Sequence, residues 1–176
     1  MSKTKLLFIV RKILLCFLTI LFLSNSLNAQ LKDNFNDGDF TSNPEWTGNV
    51  SDFTVNSSSQ LQSSNTTANS SFRTPNSIAT QAQWELYIRI GFNPSSANYI
   101  DVYLTASAAD ITLNTTTGYF IRIGNTDDEI SLYRKDANGN VIKIIDGVNG
   151  ILNSSNNVMK IKVIRDASNE WRLNRI

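Results

Sequence analysis

Gln83-Trp84-Glu85-Leu86-Tyr87-Ile88-Arg89-Ile90-Gly91-Phe92 is the stretch that decides the fold class. Trp84, Leu86, Ile88, Ile90 and Phe92 take alternate positions, and Gln83, Glu85, Tyr87 and Arg89 lie between them. A side-chain period of two sends the two sets to opposite faces of an extended chain, so the segment reads as a half-buried antiparallel strand. The pattern recurs at 98–106, 118–124, 129–135, 140–145, 158–164 and 170–174, and no window sustains a 3.6-residue period. Asn93-Pro94-Ser95, Asn125-Thr126-Asp127-Asp128, Asn138-Gly139 and residues 166–169 separate the segments and are turns by composition. Asn138-Gly139 predicts a tight primed hairpin, since both residues tolerate positive φ. Many short strands, without helices to cover a parallel sheet, predict an all-β, two-sheet antiparallel jelly-roll sandwich; a closed barrel is the alternative.

Ahead of these strands, Phe35, Phe40, Trp46, Val50 and Phe53 are separated by Asn36-Asp37-Gly38-Asp39 and Asn43-Pro44, which predicts two or three short strands over 31–55. Ser, Thr and Asn fill fifteen of the twenty-two positions from 56 to 77. Leu61 and Phe72 each centre a strand-length piece there, so short edge strands joined by exposed loops are expected.

Lys3, Lys5, Arg11 and Lys12 precede an apolar stretch from Ile13 to Leu23, and Leu27-Asn28-Ala29 supplies a small residue before Gln30. This is the pattern of a secretory signal peptide over residues 1–29, cleaved after Ala29, with the sandwich domain at 30–176. A helix over the apolar stretch would be only about 16 Å long, against a hydrocarbon core of roughly 30 Å, so no membrane span is expected once the signal is removed. Cys16 lies inside that stretch behind Leu14 and Leu15, which argues against a lipid anchor. The whole chain has 16 basic and 15 acidic residues. Losing the leader removes four basic residues and no acidic one, which leaves a net charge of −3. No basic stripe is evident in that remainder, so nucleic acid is not an expected partner. The exported part has no cysteine, and its stability has to come from packing.

Asp33-Asn34-Phe35 with Asp37-Gly38-Asp39, Asn43-Pro44-Glu45-Trp46-Thr47-Gly48, the run from Phe92 to Tyr99, Gly118-Tyr119-Phe120-Ile121-Arg122-Ile123-Gly124 and Ile130-Ser131-Leu132-Tyr133-Arg134 form a set. Together, over nearly all of 31–174, they resemble the N-terminal concanavalin A-like, laminin-G-type jelly roll of large secreted surface proteins of Bacteroidetes. The resemblance implies a domain that follows a signal peptide and precedes lamin-tail, adhesion-type or sorting domains of the same longer chain. It also implies that the Trp46 piece is a turn with a buried indole, that 118–124 is a core strand, and that a further strand follows the Trp171-x-Leu173 strand. On that pattern the chain is expected to be a fragment lacking its last strand. No catalytic residue set accompanies the resemblance.

With no histidine in the chain, Ser-His-Asp and Cys-His mechanisms and histidine-ligated metal sites cannot form. Glycoside hydrolysis needs two carboxylates, expected here as acid, apolar, acid along one strand. Glu85 alternates with Gln83 and Tyr87, Asp101 alternates with Tyr99 and Tyr103, and Asp127-Asp128-Glu129 reads as a turn. A non-catalytic protein is therefore expected. Asp37 and Asp39 beside Gly38 are weak candidates for calcium, which needs six to eight oxygens, and a turn is the simpler reading. Tyr87, Arg89, Tyr99, Asp101, Tyr103 and Arg122 are predicted by alternation to point outward. Aromatic rings beside planar hydrogen-bonding groups suit a polysaccharide or surface glycan, although cross-strand pairs that only stabilise the sheet have the same composition. The Asn-x-Ser/Thr matches at Asn56, Asn65, Asn69, Asn114 and Asn153 follow from composition alone.

Overall fold

The computed structural model describes residues 31–64 and 69–176. The predicted leader and its cleavage position, together with the Asn-x-Ser/Thr match at Asn65, lie outside the described residues. Among the described residues eleven strands follow one another: β1 (Thr47–Gly48), β2 (Phe53–Val55), β3 (Leu61–Ser63), β4 (Phe72–Arg73), β5 (Ala82–Ile90), β6 (Tyr99–Ala106), β7 (Gly118–Gly124), β8 (Glu129–Lys135), β9 (Val141–Ile145), β10 (Asn157–Arg165) and β11 (Trp171–Arg175). All of their pairings are antiparallel, in the orders β6-β7-β8-β9, β11-β10-β5, β1-β4 and β2-β3. The fold is an all-β, jelly-roll-like sandwich. No helix among the described residues is long and apolar enough to cross a membrane.

One core joins the two larger sheets because each presents one of its alternating faces to the other. Ile121 and Ile123 of β7, Leu104 of β6, and Ile130 and Leu132 of β8 pack with Ile90 of β5 and with Met159, Ile161 and Val163 of β10. Trp84, Leu86, Ile88, Trp171 and Leu173 are half-buried around this centre, as their alternation predicts. Phe92 departs from the expectation. Pairing of β5 with β10 ends at Ile90 opposite Asn157, and Phe92, past that last pair, is exposed. At one end, Trp171 stacks on Trp84 at 5.7 Å and on Tyr119 at 4.6 Å, which ties β11 and β5 to β7. The Arg165 guanidinium lies 5.2 Å from the Tyr119 ring and 5.1 Å from that of Trp171. Farther toward the N-terminus, Phe72 gathers Phe40, Trp46 and Phe53 into a separate aromatic cluster, with Trp46 half-buried there where a buried indole was expected.

Three hairpins share one turn, and it is not the primed turn predicted at Asn138-Gly139. In the β8–β9 hairpin the Asp136 N–H donates to the Asn140 carbonyl and the Gly139 N–H to the Asp136 carbonyl, with only Gly139 at positive φ, +83°. That is a type I turn followed by one left-handed residue. Asn56 to Gln60 and Asp166 to Glu170 repeat it, with Ser59 at φ 55° and Asn169 at φ 63° in the left-handed position. In each case the side-chain oxygen of the first residue accepts the N–H groups two and four residues on: Ser58 and Gln60 on Asn56, Asn138 and Asn140 on Asp136, Ser168 and Glu170 on Asp166. Asparagine and aspartate favour this arrangement because a short polar side chain reaches its own backbone just ahead.

Ser59 holds its left-handed conformation against a Cβ clash that glycine lacks. Ser59→Gly is expected to raise stability by about 0.5–1 kcal/mol, net of the extra freedom glycine has in the unfolded chain, as read by denaturant melting. Hydrogen bonds hold three other carboxyls below the usual range: Asp39 through Ser42 and Thr41, Asp110 through Thr112, and Asp136 through Asn140. A folded value below the unfolded one contributes stability that is present above about pH 4 and lost as pH falls through the folded value. Melting temperature is therefore expected to decline on acidification below about pH 4, and to decline less steeply in Asp39→Asn.

Candidate functional site

The outward face of the four-stranded sheet is a second packed layer. Cross-strand register places Tyr103, Phe120 and Tyr133 in one row and Asp101, Arg122 and Ser131 in the next. Tyr103 and Phe120 stack at 4.8 Å and 21°, and Phe120 and Tyr133 at 5.4 Å and 13°. Closed on both ring faces, Phe120 is 1% exposed although its strand position faces outward. Over these rings lies Arg122, whose guanidinium carbon is 4.3 Å from the Tyr99 ring centre, 5.5 Å from that of Phe120 and 5.4 Å from that of Tyr133. Its Nε and Nη2 donate to the two Asp101 carboxylate oxygens, each at 2.8 Å. This bidentate bond outweighs desolvation and raises the Arg122 pKa. Burial raises the Tyr103 and Tyr133 phenols, with Asp101 adding to the effect at Tyr103.

Beside Tyr133 the face becomes ionic. The Lys143 ammonium lies 2.6 Å from Asp146 Oδ1, 2.6 Å from Glu129 Oε1 and 3.8 Å from Asp127 Oδ2, and Asp146 and then Glu129 raise its pKa. Ser131 Oγ donates to Glu129 Oε1 at 2.6 Å and accepts the Gly147 N–H at 2.8 Å. Gly147 is required at that position, because a Cβ would run into the Ile130 carbonyl oxygen. Glu129 is buried and its Oε2 has no hydrogen-bond partner. At the far end of β8, buried Lys135 donates to the carbonyls of Ile111 and Leu113 at 2.7 and 2.8 Å, which pins the loop between β6 and β7 to this face.

Four of the six predicted ligand residues, Tyr99, Asp101, Tyr103 and Arg122, meet here. Tyr87 and Arg89 do not. They point outward as predicted, but from β5, on the opposite side of the sandwich, because alternation sets which way a side chain points and leaves open which sheet its strand joins. Among the members of the face that were not predicted are Phe120, Tyr133, Glu129 and Lys143. The first two share the phase of Arg122 and Ser131 and were legible on that ground. Glu129, read both as the end of the Asp127–Glu129 turn and as the start of the 129–135 strand, is the first residue of β8. Lys143 reaches Tyr133 only because the β8–β9 register shifts between Leu132 and Tyr133, and residue types do not announce that irregularity.

The calcium candidates, Asp37 and Asp39, accept local hydrogen bonds. Asp39 Oδ1 accepts the N–H groups of Phe40 and Thr41 and the Thr41 hydroxyl at 2.7–2.8 Å, its Oδ2 accepts the Ser42 hydroxyl, and Asp37 Oδ1 accepts the Asp39 N–H at 3.1 Å. Their oxygens shape a turn, and among the described residues no group of three or more acidic, histidine or cysteine side chains is placed to hold a metal ion. The fold and this face define an antiparallel β-sandwich with a pre-arranged aromatic–ionic sheet surface. Comparison with protein-family models, with curated proteins and with solved structures finds no match to the chain.

Arg122 and Asp101 are each less than a quarter exposed, so each depends on the other for charge compensation. In a double-mutant cycle of Asp101→Ala and Arg122→Met, followed by urea melting, a coupling energy of about 1–3 kcal/mol is expected. Values within experimental error of zero would show the pair to be independent.

Proposed function

We propose that this chain is a non-catalytic recognition module, exported and displayed at the cell surface, whose four-stranded face binds a neutral glycan. The observation that carries the reading is the pairing of both cations of that face, Arg122 and Lys143, with carboxylates of the same face. Arg122 is satisfied by Asp101, and Lys143 by Asp146, Glu129 and Asp127, so neither cation is left to draw in an anionic ligand, and the surface offers phenol edges and fixed hydrogen-bonding groups. A rigid array of this kind suits a ligand of hydroxyls and weakly apolar C–H surfaces. The leader pattern and the resemblance to laminin-G-type surface domains support the same placement and class, and with them a position ahead of further domains in a longer chain. Against hydrolysis, Glu129 and Asp146 are tied to the same Lys143 ammonium, and Asp146 is held below its usual range by that Lys143, which makes it a poor proton donor.

A second reading, a purely structural spacer, is favoured by the ring stacking, which commits both faces of Phe120 and one face each of Tyr103 and Tyr133 to one another. Tyr99 distinguishes the two, because it is 39% exposed and stands outside the stack. On a glycan array the full chain is expected to mark a defined set of neutral glycans, and Tyr99→Ala to lose about tenfold in affinity while its stability to melting falls only by the about 0.5–1 kcal/mol that one ring contact to Arg122 contributes. A blank array would establish the spacer reading, and reducing-sugar release from any bound glycan would restore the hydrolase.

A further inference from the structure

The opposite outer face, formed by β5, β10 and β11, has the contrary electrostatic character. Strand register sets Arg89 opposite Val158, Tyr87 opposite Lys160, Glu85 opposite Lys162, and Ile164 opposite Arg172. Read across the sheet, Arg89, Lys160, Lys162 and Arg172 fall on one diagonal. With a rise of about 3.4 Å per residue and about 4.8 Å between strands, the diagonal is roughly 22 Å long, with steps of roughly 7–8 Å. The sequence reading found no basic stripe because these residues come from three separate strands, and only the β5–β10–β11 pairing aligns them.

Two carboxylates oppose the four cations. Glu85 is shared by Lys160 at 3.1 Å and Lys162 at 3.7 Å, and Asp166 meets Arg172 at 3.4 Å. These ion pairs are exposed and hold their partners weakly, so an incoming anion competes for the cations at little cost. Arg89 spends its Nε on the neutral Asn156 side chain. Tyr87 stands beside Lys160 and is 65% exposed, in contrast to the closed ring of Phe120 on the other sheet.

We infer that this diagonal is a docking track for a linear acidic polysaccharide. The arginines at its ends match carboxylates as planar two-pronged donors, the lysines between them act as point charges, and the Tyr87 ring offers a stacking surface to a pyranose. A polymer fits because the charges follow one another in a line across the outer face of the sheet. Single-stranded nucleic acid is a poorer fit, since it calls for a succession of rings to take successive bases and Tyr87 is a single ring. A lipid surface is poorer too, because the track is a narrow line without a broad apolar face to insert. The track shares no residue with the four-stranded face, so either proposal can fail alone.

The test titrates the full chain with polygalacturonate oligomers, and separately with the fully methyl-esterified polymer, phosphatidylglycerol vesicles and oligothymidylate. Polygalacturonate is expected to bind with an affinity that falls as salt rises. The double variants Lys160→Gln with Lys162→Gln, and Arg89→Gln with Arg172→Gln, are each expected to weaken it about tenfold or more at unchanged melting, and Tyr87→Ala to weaken it less. The esterified polymer is expected not to bind. Absence of polygalacturonate binding, equal binding of the ester, indifference to both double variants, or tighter binding of vesicles or oligothymidylate would each overturn the inference.

Discussion

Strand β7 is dry on both faces, and much of the molecule is arranged around that constraint. Its inward Ile121 and Ile123 belong to the common core, while its outward Phe120 is shut between two tyrosines. A guanidinium on such a strand loses much of its water, a cost repaid only by a fixed anion and by the negative faces of aromatic rings. Arg122 has both, and the anion comes from the neighbouring strand at the residue directly opposite, Asp101. The pair therefore also sets register. A slip of one residue would turn Arg122 into the apolar core and Ile121 or Ile123 out against the rings, so chemistry on the outer face and packing on the inner face demand the same alignment.

Elements formed by local chemistry were legible in the chain, and relations between distant strands were not. Alternation placed β5 through β11 to within about two residues, because a half-buried strand must alternate wherever it sits in a sandwich. It also sorted Tyr87, Arg89, Tyr99, Asp101, Tyr103 and Arg122 correctly as outward. Their division between two sheets depends on β5 pairing with β10 across some seventy residues, and nothing within either strand records that choice. The two register shifts, at Tyr103/Thr105 and Leu132/Tyr133, lie beyond composition for a related reason: a bulge is a property of the pair.

Turn chemistry occupies a middle ground. Asn138-Gly139 was read as a primed pair, yet the same hairpin geometry closes at Ser58-Ser59 and Ser168-Asn169, where no such dipeptide stands. The shared residue is the asparagine or aspartate that opens each loop and accepts two backbone N–H groups. Its recurrence identifies the capping side chain as the common determinant, with the left-handed residue tolerating glycine, serine or asparagine in turn.

The two outer faces show how one architecture gives opposite electrostatic surfaces without a strongly biased composition. Acidic and basic residues are nearly equal in number, so any local excess has to come from register. On the four-stranded side, cations face carboxylates within hydrogen-bonding distance over packed rings, where burial makes unpaired charge costly. On the three-stranded side, β10 carries lysines at alternate outward positions and its neighbours add an arginine at each end. The exposed setting tolerates the surplus, because water and salt screen it. Burial thus accounts for the difference. Cations on the face that is shielded from solvent must each find a carboxylate there, whereas the face that remains wet is free to keep cations that are only weakly compensated.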